Sequence, residues 1–155
     1  MSRLTIALAS ATGLAVATVA FADSHAEKPR QLEAREGLMT AISLASSVTG
    51  DMARGKAEYD AEAAQAAADT LAGISEVSTA LLWTEGTSAD DIEGTRSLAT
   101  IWEDRAGFDA KWADFGTAAM ALKDAAGQGP EQLTAAMAEL GKTCGACHET
   151  YRAKE

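Results

Sequence analysis

The chain has 155 residues, 23 acidic and 13 basic, for a formal net charge of −10. That is one domain's worth of polypeptide, and so acidic a balance excludes nucleic acid and anionic lipid surfaces as partners. It suits solubility, and it would also suit basic patches on a redox partner.

Met1-Ser2-Arg3 gives a short positive start, and Leu4 to Ala20 is apolar and small. Ala20-Phe21-Ala22 then fits an A-x-A cleavage site before Asp23, so residues 1–22 are expected to be a cleaved secretory signal peptide. An uncleaved anchor is the competing reading, but the run is short and alanine-rich for a membrane helix and no stop-transfer pattern follows. The mature domain is then 23–155, with 12 basic against 23 acidic side chains. Such a protein is exported, periplasmic in a bacterium, and not membrane-bound after cleavage. Asp23 to Lys28 is a polar tail, and His25 within it is assigned no role.

Four helical patterns follow. Pro29 opens the first, since its missing N–H costs nothing in a first turn. It runs to about Ala53, with Leu32, Arg35, Leu38, Met39 and Ile42 on one face, continued by Ala45 and Val48, and Arg54-Gly55-Lys56 closes it. Asp60 is a good N-cap for the second, whose inner face is expected to be Ala67, Leu71, Ile74, Ser78 and Leu81. Its alanine content favours helix and permits a close neighbour. Trp83 to Arg96 has the composition of a long loop. The third pattern carries Ile101, Arg105, Phe108, Trp112, Phe115, Ala119, Leu122 and Ala126 without a slip, and Gly127-Gln128-Gly129 ends it. Pro130 opens the fourth, which runs almost to Glu155 with Leu133, Met137, Leu140, Cys144, Cys147 and Tyr151 on its apolar stripe. With no strand signal, these helices and mostly short connections predict an all-α chain, an antiparallel four-helix bundle.

The fourth helix contains Cys144-Gly145-Ala146-Cys147-His148. The spacing C-x-x-C-H is that of a c-type haem attachment site. Each thiol can add across one vinyl group, and the following imidazole can then reach the iron. At i, i+3 and i+4 the three side chains share one face, so the haem is expected where the C-terminal helix meets its neighbours. A redox dithiol would belong beside a strand–helix unit, which is absent. A closed zinc site wants four ligands, and the chain has two cysteines and two histidines. A disulfide between i and i+3 closes too small a loop to stabilise much. A haem-free helical interaction protein is the reading left if no haem is attached.

A four-helix bundle with this motif at its C-terminus resembles the class II cytochromes c, and most of all cytochrome c′. The likeness covers essentially the whole mature chain. Its markers are Ala34-Arg35-Glu36-Gly37-Leu38-Met39, Leu82-Trp83-Thr84-Glu85-Gly86-Thr87, Ile101-Trp102-Glu103, Phe108-Asp109-Ala110-Lys111 and the run from Cys144 to Arg152. The resemblance implies one covalent haem c per chain, held by Cys144 and Cys147 with His148 as proximal ligand. It places Arg35 near a haem propionate with Glu36 beside it, which suits the match of guanidinium to carboxylate; the competing reading is an exposed arginine. Arg152, one turn after His148, would flank the imidazole and favour its neutral form, or answer the helix dipole, or both. Trp83 and Thr87 would close one haem edge, although core packing is the simpler role for Trp83.

Met39 separates two functions. As a packing residue it leaves a five-coordinate haem whose apolar distal side admits NO or CO, the cytochrome c′ condition. As a sulfur ligand it makes a low-spin electron carrier. The Arg35 pattern and the Trp83–Thr87 stretch favour the vacant side. The expected protein is therefore a gas-binding, one-electron haem protein with a redox partner protein and, by resemblance, a homodimer. No activated nucleophile or carboxylate pair is placed for a turnover site, and Glu103 and Asp104 are taken as a solvated face.

Overall fold

A computed structural model describes residues 28–154. The expected signal peptide, its cleavage site and His25 lie outside the described residues. Among the described residues six helices follow in order: α1 (Arg30–Ala53), α2 (Ala61–Ser75), α3 (Thr79–Leu82), α4 (Thr100–Glu103), α5 (Arg105–Ala125) and α6 (Pro130–Tyr151). Among the described residues the β structure is confined to one bridge, Ser97 with Arg152. None of the described helices is long and apolar enough to cross a membrane.

The four long helices form a ring in which α1 packs on α2 and α6, and α5 packs on the same two. Cross-links show that neighbours run antiparallel. Thr134 at the start of α6 donates to the Ala53 carbonyl at the end of α1 (3.4 Å), and Tyr59 before α2 donates to the Ala126 carbonyl after α5 (2.7 Å).

The local chemistry accounts for the boundaries. Gly55 has φ +66°, a left-handed conformation that costs a glycine little, and closes α1. The Asp60 carboxylate accepts from the N–H groups of Glu62 and Ala63, capping α2. Gly129 at φ +135° turns the chain, and Pro130 starts α6.

Two apolar clusters fill the bundle. One joins Ala64, Ala67, Ala68 and Leu71 of α2 to Phe115, Ala119 and Leu122 of α5 and Leu133 and Leu140 of α6. The alanine stripe of α2 thus serves the interior, where small side chains let helices approach. The other cluster, Leu82, Trp83, Ile101, Phe108 and Tyr151, lies at the opposite end.

The structure departs from the periodic pattern in three places. α2 stops at Ser75, so Ser78 and Leu81 point outward, Leu81 being 72% exposed, while Leu82 enters the core. The third pattern is two helices, because Asp104 (φ −123°, ψ 60°) breaks the backbone and its carboxylate caps α5 at the Gly107 N–H (3.1 Å). Asp104 also accepts from the Tyr151 hydroxyl at 2.8 Å, so it is a cap and an anchor rather than an idle surface acid. α6 ends at Tyr151, and Arg152 is already extended.

Candidate haem-binding site

Leu133 and Leu140, both buried, fix the rotation of α6 against the core. Continuing at helical spacing, the same face carries Cys144, Cys147, His148 and Tyr151 onto a cavity of about 510 Å³. α1 supplies the facing wall with Leu32, Arg35, Met39 and Ile42, and α5 supplies Phe108, Trp112 and Phe115. The aromatic side is tightly built: Trp83 and Phe108 have ring centroids 5.0 Å apart, Phe108 and Tyr151 5.4 Å. The volume is that of a small-molecule or cofactor site.

The two thiols are half-buried and unpaired as a disulfide. Burial pushes the Cys144 thiol up, and burial with the neighbouring Cys144 sulfur does the same for Cys147. A redox dithiol works through a depressed thiolate pKa, so this environment opposes that reading. Burial, with Arg152 and then Arg96 adding repulsion, pushes the His148 pKa down. Its neutral, metal-binding form is thereby favoured.

Arg35 is 3% exposed. Its guanidinium donates to the Thr87 hydroxyl (3.3 Å), the Thr87 carbonyl (3.1 Å) and the Thr95 hydroxyl (2.9 Å), and lies 5.8 Å from the Trp83 ring. Burial pushes its pKa down, opposed by Glu36 nearby. Among the described residues no carboxylate stands at ion-pair distance from it, since Glu36 is paired with Lys28. A buried cation without a counter-ion is costly. It borders the cavity, so a carboxylate-bearing guest would complete it.

The other predicted site residues are distributed around this arrangement. Met39 is half-buried on the α1 wall, Glu36 and Arg152 border the cavity, and Trp83 both lines it and belongs to the core. Thr87 is buried but does not line the cavity; it holds Arg35 instead. The sequence pattern missed Thr95 and Arg96, which the loop brings to the cavity, and Lys111 on α5. It also missed Ser46, whose hydroxyl oxygen is buried at the wall without a partner among the described residues. Threonine in a loop carries no periodic signal, so only the folded loop reveals Thr95. Lys111 stands one residue before Trp112 on the helical pattern, a placement that gave no hint of a cavity.

Two thiols and an imidazole on one helix face, opposite a buried guanidinium with no carboxylate at ion-pair distance among the described residues, fit a haem with its carboxylates. Fold and site together define a bundle-type c haem protein. The sequence pattern of cytochrome c′ matches residues 30–152. A cytochrome c′ of Cereibacter sphaeroides is 40% identical over 129 residues, 83% of this chain and 87% of that protein. A solved cytochrome c′ from Rhodobacter superposes with a TM-score of 0.79 at 41% identity, covering 81% of this chain and 96% of that one. A nitric oxide complex of an Alcaligenes xylosoxidans cytochrome c′ variant gives 0.69 at 29% identity, covering 80% and 94%. The chain belongs to the cytochrome c′ family, a family of haem electron carriers and gas binders, and carries haem c covalently bound.

Proposed function

We propose that the mature protein, exported and cleaved after Ala22, works in the periplasm as a cytochrome c′ that binds NO or CO on an open distal side. When bound, the haem supplies an iron that changes by one electron and takes a diatomic ligand. Cys144 and Cys147 would hold the group through their sulfurs, and His148 would supply a nitrogen to its iron. Burial, with Arg152 adding like-charge repulsion, would favour the neutral form of that imidazole. Arg35, fixed by Thr87 and Thr95, would receive a carboxylate of the haem, with Glu36 beside it. Trp83 closes the cavity edge, and Thr87 acts through Arg35. Met39, with Leu32 and Ile42, gives the α1 wall an apolar surface that offers water and anions no partner.

The single observation that carries this reading is the buried Arg35 without a counter-ion, facing the same cavity as the two thiols and His148. The nitric oxide complex of the Alcaligenes relative supports a gaseous ligand. Titration of the purified ferrous protein with NO tests it: a new nitrosyl-type absorption spectrum is expected. An unchanged spectrum would overturn the gas-binding role and would leave Met39 as an iron ligand and the protein as an electron carrier. A homodimer, as the family resemblance implies, predicts a doubled mass in analytical ultracentrifugation.

A further inference from the structure

Arg35 of α1 and the end of α6 border the same cavity, and residues 95–98 of the loop reach both. The Thr95 hydroxyl oxygen accepts from the Arg35 guanidinium (2.9 Å) and from the Ser97 N–H (3.3 Å). Ser97 in turn forms an antiparallel bridge with Arg152, whose backbone is extended. Backbone bonds secure that bridge on both sides. The Leu98 N–H donates to the Tyr151 carbonyl (3.1 Å), and the Ala153 N–H donates to the Arg96 carbonyl (2.8 Å). The Arg96 guanidinium also donates to the Ala153 carbonyl. The loop is therefore held to the end of α6 by its backbone. Among the described residues, its hydrogen bonds to α1 all come from the Arg35 side chain. Thr87 and Thr95 take three of the five N–H groups of that guanidinium. The other two remain for a carboxylate in the cavity. Hydroxyl and carbonyl partners orient the guanidinium without cancelling its charge, whereas an acid in the loop would have competed with the guest.

We infer that Thr95 is a positioning residue for the haem: its one oxygen fixes Arg35 and ties it to the extended segment paired with Arg152, so that the cations bordering the cavity from α1 and from the end of α6 are held in one frame. The inference deepens the haem reading above and rests on it. Thr95 acts through Arg35 and through the pairing of Ser97 with Arg152, not by chemistry of its own. A cation held near the iron disfavours its oxidised, more positive state. Loosening Arg35 therefore lowers the midpoint potential, and loosening the bridge frees the end of the helix that carries His148.

The test uses the mature haem-loaded protein. Thr95→Val keeps the shape and removes the oxygen, Thr95→Ala does so without a branched side chain, and Thr95→Ser restores the oxygen. Thr79→Val is the control, since the Thr79 hydroxyl also accepts from an arginine, Arg105, at 2.7 Å, but outside the cavity lining. Losing a hydrogen bond to a charged group makes local opening about tenfold or more frequent. Amide hydrogen exchange at Leu98 and Ala153 should speed by about that factor in Thr95→Val and Thr95→Ala. It should stay near wild type in Thr95→Ser and in Thr79→Val. The midpoint potential in a redox titration should fall in Thr95→Val, in the direction of Arg35→Gln and by less, and return in Thr95→Ser. The double variant Arg35→Gln/Thr95→Val should shift by less than the sum of the two, because one residue acts through the other. Unchanged exchange at Leu98 and Ala153, equal exchange in Thr95→Val and Thr79→Val, an unmoved potential or additive shifts would each overturn the inference. Failure of the haem reading is a colourless protein, visible before any variant is made. A coloured protein with unmoved exchange or potential is failure of this inference alone, and no readout needs NO.

Discussion

A methyl group added to Gly107 would fall 2.1 Å from Asp104 Oδ2 and 2.6 Å from the Tyr151 hydroxyl oxygen. Gly107 leaves the room in which the end of α6, four residues after Cys147, is bonded to the start of α5. Gly107→Ala should therefore destabilise the protein by about 1–3 kcal/mol through overpacking, measured by denaturant unfolding. The bond to the Asp104 carboxylate pushes the Tyr151 phenol up to about 12 from its ordinary 10.0. The folded state thus holds this proton after the unfolded chain has released it. The contribution is complete below pH 10 and is lost as pH rises from there through about 12. An ultraviolet titration should show one tyrosine ionising near 12, and Tyr151→Phe should remove that late step. Arg35 was legible as a residue on the apolar stripe of α1, because helical spacing places it there. Its Thr95 partner was not, since 60 residues separate the two and no local pattern joins them.

Helix caps and corners decide what holds the elements in place. Asp60→Ala removes a side chain that accepts from two backbone N–H groups and should cost about 1 kcal/mol of stability by chemical denaturation. At the α3–α5 corner, Arg105 donates to the Thr79 hydroxyl (2.7 Å) and to Asp109, and the Thr79 hydroxyl donates to Asp109 (2.8 Å). The Arg105 hydrogen bond, helped by Thr79, holds the Asp109 carboxyl below the ordinary carboxylate range. The stabilisation is therefore present above that range and fades as pH falls through it. Asp109 is about half exposed, so Asp109→Asn should cost under about 1 kcal/mol near neutral pH and less in acid. The four long helices were legible because their apolar stripes, caps and glycines agree. The breaks at Ser75 and Asp104 were not. Ile101 lies two turns before Phe108, so the stripe keeps its phase across the break. Ser78 and Leu81 continue the spacing of Ile74 although the helix has already ended. Periodicity reports which residues share a face; it does not report where side-chain capping interrupts the backbone.

At the scale of the molecule, the bundle is divided between a close-packed end and an end built around a cavity. Alanine and leucine fill the first; aromatic rings, two thiols, an imidazole and a buried guanidinium surround the second. C-x-x-C-H was legible because the chemistry of attachment fixes its spacing. The bridge from Ser97 to Arg152 was not, because no local pattern joins a loop to the far end of the chain. We propose that the His148 imidazole of α6 would ligate the haem iron and that Met39 would only pack in the cavity wall. The absorption spectrum of the ferrous protein before any ligand is added tests this most directly. A high-spin, five-coordinate Soret band with a weak, broad α region is predicted, unchanged in Met39→Leu. A sharp low-spin α band that Met39→Leu abolishes would contradict it.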